Sequence, residues 1–338
     1  MALNPKLNIY VVSLNPRDKN SHYTYRDLFK FKFSEGANMN DKSLMKSFFK
    51  NFIDSVGKSD FRKDDKNKKV IGVSDYNPDD GNTSLNIHSE KCVIEGLIDG
   101  GQYGVLRAFA DVNNKNAKET LGTSKAVLDK FYICLSTPLN SAYGFLFVQS
   151  YTENSIQDTF SSFLKELLKW DDEFYNVRID PYVPKKFVDK FKDEAKIRMF
   201  SFKSKIGVSD ILRDEQVLVR GQAFNVNVII TPIEDDFYPG TDEGLMLANA
   251  IANKSFDGNN LGNYEDKKVF IDANGRRAHY DINKEIKSIR PTIFLEDEGI
   301  KIDAQTGQPD FNQIKDFTLS LLEEVKKEFN SYENIEEL

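Results

Sequence analysis

The 338-residue chain is 40% hydrophobic, 12% aromatic and 29% charged, a balance that supports a buried core and excludes a disordered polymer. Its length suggests two domains, and a net charge of −7 argues against wholesale coating of nucleic acid. Cys92 and Cys134 are too few for a disulfide framework or a four-ligand zinc cluster, which fits a cytoplasmic protein; no apolar run reaches membrane-spanning length, and the start lacks a secretory pattern.

In chain order, NIYVVSL (8–14) reads as a strand ended by Asn15-Pro16. Residues 24–33 alternate Phe29, Phe31 and Phe33 with Lys30 and Lys32, the period of a half-buried strand. Leu44, Phe48, Phe52 and Val56 recur every fourth residue and predict a helix closed by Gly57. The charged run KSDFRKDDKNKK (58–69) reads as a mobile loop. Strands are expected at 92–98 and 103–112 around DGGQYG, and at 127–137 and 143–150 around TPLNSA, as two hairpins of an antiparallel sheet. SIQDTFSSFLKELLKW predicts an amphipathic helix across that sheet, with Ser155 and Asp158 approximating a capping box.

A strand near 175–180, a short helix begun by Pro184 and a strand at 196–203 complete a first domain, 1–205. The second, 206–338, is expected to hold a strand at 217–232 bent at Gly221, a helix in TDEGLMLANAIANKS and a hairpin turned by Asn274-Gly275, whose register sets Asp272 opposite Arg277. It ends in a helix over 309–330 with an apolar stripe of Phe311, Ile314, Phe317, Leu321, Val325 and Phe329. The fold class is α+β: a mostly antiparallel sheet backed by helices, a strand-rich C-terminal part and a terminal helix. The pentapeptide IGVSD occurs at 71–75 and again at 206–210, but similarity does not extend beyond it, so it marks no repeated unit.

Motifs for catalysis are sparse. Asp257 with Glu265-Asp266-Lys267 has the D…ExK form of a Mg²⁺-dependent nuclease, in which carboxylates hold the metal and Lys267 would face the scissile phosphate. In such enzymes the triplet lies on a strand, whereas here it precedes one, and a solvated turn accounts for it more simply. Glu234, Asp235 and Asp236, like Asp171, Asp172 and Glu173, read as solubilising connectors before divalent-cation sites. His22, His88 and His279 sit in no metal or nucleophile motif, Cys134 reads as a buried small hydrophobe, and Gly96, Gly100, Gly101 and Gly104 lie between strands and not at a phosphate-binding strand-to-helix turn. No cofactor is expected unless the nuclease reading holds.

Charge is unevenly spread. Residues 184–205 carry eight Lys/Arg against three acids, and 296–338 carry twelve Asp/Glu against four Lys. Strand alternation would put Lys196 and Arg198 on one face with Phe200 and Phe202, a basic and aromatic surface able to track phosphates and stack bases, unless those rings are core. The phosphate-contact residues are then Lys185, Lys186, Lys196, Arg198, Lys203 and Lys205, with Arg276, Arg277 and His279 as a second contact.

The stretches FYICLSTPLNSAYGFLFVQSYTENSIQDTF, NVRIDPYVPKKFVDKFKDEAKIRMFSFKSKIGVSDI and DKKVFIDANGRRAHYDINKEIKSIRPTIFL, across about residues 90–330, resemble uncharacterised bacterial proteins of phage-defence and mobile-element loci. The resemblance implies a setting and transfers no site residue. Together these readings describe a cytoplasmic bacterial binding protein, a sensor or subunit of an antiphage defence system that contacts nucleic acid or a protein partner and no membrane. The alternatives are the Mg²⁺-dependent nuclease and a structural homo-oligomer subunit held through the 309–330 stripe.

Overall fold

The computed structural model describes the chain except residues 1–3, 17, 19–21, 34–38, 59, 76–82, 171–174, 195, 208–222, 232, 234–245, 248–249, 252–254, 257–258, 261–263, 274–275, 282–289 and 337–338. It is α+β with mostly antiparallel sheets. The chain divides into one unit of Met1–Tyr182 with Ile293–Leu338 and another of Val183–Thr292. The division expected at 205/206 therefore moves to 182/183, and the C-terminal helix returns to the first unit.

The first unit opens with β1 (Lys6–Pro16), α1 (Tyr25–Phe33) and α2 (Asp41–Val56). Here α1 replaces the strand expected at 24–33. Tyr25, Leu28, Phe29 and Phe33 make a helical stripe that is fully buried, while Phe31 is left 61% exposed. The helix is started by a reciprocal cap: the Thr24 hydroxyl and amide both donate to the Asp27 carboxylate, at 2.7 and 3.0 Å, and the Asp27 amide donates back to the Thr24 hydroxyl oxygen at 3.4 Å. In α2 the expected helix is found, capped by Asn40, whose side chain accepts from the Ser43 amide, and ended by Gly57 at φ +114°.

Next come β2 (Arg62–Asp64), β3 (Lys69–Val73), β4 (Leu85–His88), β5 (Val93–Gln102), β6 (Arg107–Asp111), β7 (Asn114–Leu121), β8 (Val127–Ser136), β9 (Tyr143–Ser150), α3 (Gln157–Leu168) and β10 (Tyr175–Tyr182). The run 58–69, expected to be a loop, is largely a hairpin at the sheet edge: Asp64 accepts from the Asn67 amide in its turn, and Arg62 spans the Phe163 ring and pairs with Glu166. The expected 92–98/103–112 hairpin is replaced by β5 running on through Gly100 and Gly101 to pair with β8 along its whole length. Gly101 is a close-approach residue, because a Cβ there would meet the Val127 carbonyl oxygen at 1.7 Å. β8 and β9 pair as expected.

The second unit holds α4 (Lys185–Glu194), β11 (Lys196–Gly207), β12 (Ala223–Ile230), β13 (Ser255–Phe256), β14 (Asn259–Asn260), β15 (Asp266–Ala273) and β16 (Arg276–Asp281). Of the expected helix around 241–255, Met246, Leu247, Ala250 and Ile251 are helical; Gly221 lies outside the described residues. The chain then re-enters the first unit as β17 (Ile293–Phe294) and α5 (Phe311–Glu336).

Among the described residues, nine strands form the first sheet, with β10-β1-β9-β8-β5-β3-β2 in order, β17 beside β1 and β4 beside β5. One face carries Val12, Ile94, Ile98, Phe131, Ile133, Leu146 and Val148 against α1, α2 and α3, around stacked Phe29 and Phe48 at 4.1 Å between ring centroids. The opposite face receives α5, in which Ile314, Thr318, Leu321, Leu322 and Val325 are buried. The predicted apolar stripe thus packs within its own unit through Ile314, Leu321 and Val325, with Phe311, Phe317 and Phe329 half-buried. Strand order in the second sheet is β12-β11-β15-β16. No described helix is long and apolar enough to cross a membrane.

Candidate functional site

The second sheet is covered on one face by Phe191 of α4 and by Leu247 and Ile251, which pack with Ile197, Phe200, Phe202, Val269 and Ile271. Phe200 and Phe202 are therefore core, at 2% and 0% exposure, and cannot stack on a ligand. A register shift between Ile197 and Met199 explains the misreading. One extra residue, Arg198, reverses the alternation, so that Ile197 and Phe200 share the core face although an uninterrupted strand would separate them.

The other face is the candidate site. Lys203 lies between Asn227 of β12 and Asp266 of β15, Lys205 lies opposite Asn225, and Ser201 lies between Ile229 and Lys268. Asn225, Asn227, Ile229, Lys203, Lys205 and His279 are all exposed. Met199 faces Phe270, which faces His279 with ring centroids 5.5 Å apart. The Ser201 hydroxyl donates to the Asn227 side-chain oxygen at 3.1 Å, and Lys268 pairs with Asp266 at 3.1 Å, contacts that fix this surface in place. Cations, amides and two flat rings thus share one face of the sheet.

The six basic residues do not form one ridge. Lys203 and Lys205 stand on the open face, Lys196 falls on the same face opposite Asp272, and Arg198 is exposed at the bulge. Lys185 and Lys186 are exposed on α4, the helix that covers the opposite face, and Lys186 lies 5.1 Å from the Phe187 ring centroid. The hairpin register expected for β15 and β16, with Asp272 opposite Arg277, is present, and it brings His279 onto the open face; the side chains of Arg276 and Arg277 lie outside the described residues. Phe270, Lys268, Asn225 and Asn227 went unrecognised as site residues, although the alternation in NVNVII already separates the two asparagines from the valines.

For the nuclease reading, Glu265 is exposed just before β15, Lys267 is half-buried on it, and Asp257 lies outside the described residues. The acidic groups at 171–173 and 234–236 also lie outside them, and no group of three or more potential metal-ligating side chains occurs among the described residues.

Two polar features belong to the first unit. A cavity of about 600 Å³ is lined by Arg26, Asp41, Cys92, Asn140, Glu323 and Lys326. Two ion pairs lie in its wall: Arg26 pairs with Asp41, whose carboxyl it holds below the usual range, and Lys326 pairs with Glu323 at 3.2 Å. Under α5, Glu95 is fully buried and its Oε1 meets Asn86 and His88 at 3.3 Å and Lys315 at 3.5 Å. Burial pushes the Tyr132 hydroxyl and the Cys134 thiol upward there, reinforced by the nearby negative charge of Glu95, so neither is an ionised nucleophile at neutral pH. Compared with models of known protein families and with curated proteins, the chain matches none.

Proposed function

We propose that the protein binds single-stranded nucleic acid on the open face of the second sheet. The observation that carries this reading is the placement of exposed Lys203 and Lys205 on the same face as the Phe270–His279 ring pair, with the opposite face given over to the core. Lysines track the phosphate chain, flat rings stack on bases of any identity, and the Asn225 and Asn227 amides offer hydrogen bonds to base edges. A place in a bacterial defence system rests on the resemblance of residues 90–330 alone.

The test is fluorescence anisotropy with a labelled single-stranded oligonucleotide across roughly 50–200 mM salt. Each phosphate contact removed should flatten the log–log salt slope by about 0.7, so Lys203→Ala with Lys205→Ala should flatten it by about 1.4. Lys185→Ala with Lys186→Ala, on the helix side, should leave the slope unchanged. Absence of salt-dependent binding, or equal effects from the two pairs, refutes the reading.

A further inference from the structure

The tip of the β5–β8 hairpin carries the ribbon of β6 and β7, which among the described strands pair only with each other. Val105 (55%), Leu106 (67%), Phe109 (48%) and Val112 (100%) are exposed on it or beside it, and Ala108, Ala110 and Asp111 are exposed too. A two-stranded ribbon with no core of its own is marginal in water, and its open edges are templates for further pairing.

The sequence of β6 is Arg107-Ala108-Phe109-Ala110-Asp111. Laid antiparallel beside a second copy with Phe109 on the two-fold axis, Arg107 falls opposite the partner's Asp111, Ala108 opposite the partner's Ala110, and Phe109 opposite the partner's Phe109. Each half of the strand carries the complement of the other half, which is the requirement of an isologous interface. Arg107, Phe109 and Asp111 share one face, and the alanines on the other leave room for close approach. Within the chain, Arg107 donates to the Gln102 side-chain oxygen at 2.7 Å and Asp111 accepts from the Asn113 amide at 2.7 Å, neutral contacts that leave both charges uncompensated by them. The β7 edge fits less well, since the register with β6 breaks between Ala110 and Asp111.

We propose that the protein forms a two-fold dimer by pairing β6 with β6 of a second copy, giving a four-stranded ribbon in the order β7-β6-β6-β7. The inference is independent of the nucleic-acid reading. Its test is sedimentation equilibrium of the full chain over a concentration series, with circular dichroism to show that each variant is folded. Wild type should dimerise. Arg107→Glu sets an acid opposite Asp111 twice over, and Asp111→Lys sets a base opposite Arg107 twice over, so each variant alone should dimerise about tenfold or more weakly. Mixed in equal amounts, the two variants restore both attractive pairs and should associate with wild-type strength. A wild type that stays monomeric throughout, or a mixture no stronger than its components, overturns the proposal, and a monomer would mean that the ribbon serves a different protein.

Discussion

The two sheets differ in how many faces they cover. The first packs helices on both, so Glu95 and Gln149, polar residues on the α5 side of its central strands, are buried at 0% and 1% exposure. Among the described residues the second is covered on only one, and Asn225, Asn227, Lys203 and Lys205 remain in solvent. A polar residue on a strand therefore marks the surface only where no element docks on that face, and the same alternation has opposite functional meaning in the two units.

The largest expected effect breaks this comparison within one sheet. Phe202→Ala removes a ring from the covered face and should cost about 3–5 kcal/mol in urea unfolding. Phe270→Ala, on the open face and half-buried, should cost under about 1.5 kcal/mol of stability while weakening single-stranded binding by about 1–3 kcal/mol per stacked base. Equal stability losses would show that both faces are covered.

Elements with one unambiguous period were legible from sequence: α2, α3, α5 and the paired strands β15 and β16 fall where spacing puts them, although α3 begins with Ile156 as its N-cap, without the expected Ser155 and Asp158 capping box; the Asn274-Gly275 turn lies outside the described residues. The error at α1 arose because FKFKF satisfies a strand period while Tyr25, Leu28, Phe29 and Phe33 satisfy a helical one; the Thr24-x-x-Asp27 cap was the deciding local signal. The candidate site was half legible. Lys203 and Lys205 could be named, and plain alternation already sets them opposite Phe200 and Phe202, but the face of Lys196 depended on the bulge at Arg198, which arises from pairing with β15 some seventy residues later and leaves no mark in the strand itself. The Glu95 cluster was illegible because α5, which supplies Lys315, reaches it only after the whole second unit.

The next effect sharpens the contrast between buried and exposed charge. Lys315→Met removes a partner from Glu95, which is fully buried and keeps only His88 and Asn86 on the same oxygen, and should cost about 1–3 kcal/mol. Lys326→Met, about three turns further along the same helix, removes a partner from Glu323, which is 54% exposed, and should cost under about 0.5 kcal/mol. Thermal unfolding of the two variants side by side distinguishes them, and a reversed order would mean that α5 is held by its apolar stripe alone.

The smallest effect separates two carboxyls of one strand. Asp99, on β5 with Glu95, is half-buried, and burial raises its pKa more than the Ser74 hydrogen bond and the Lys130 charge lower it. An acid whose folded pKa exceeds its unfolded value stabilises the fold in acid, where it is protonated, and that contribution is lost as pH rises through the folded value. At neutral pH the ionised carboxylate is a net burden, and Asp99→Asn should therefore stabilise the protein slightly there. The gain should shrink as pH falls toward about 4, where unfolded Asp also begins to take up its proton. Urea midpoints of wild type and variant at the two pH values provide the measurement; a gain that grows in acid would mean that the Ser74 and Lys130 contacts, and not burial, govern this carboxyl.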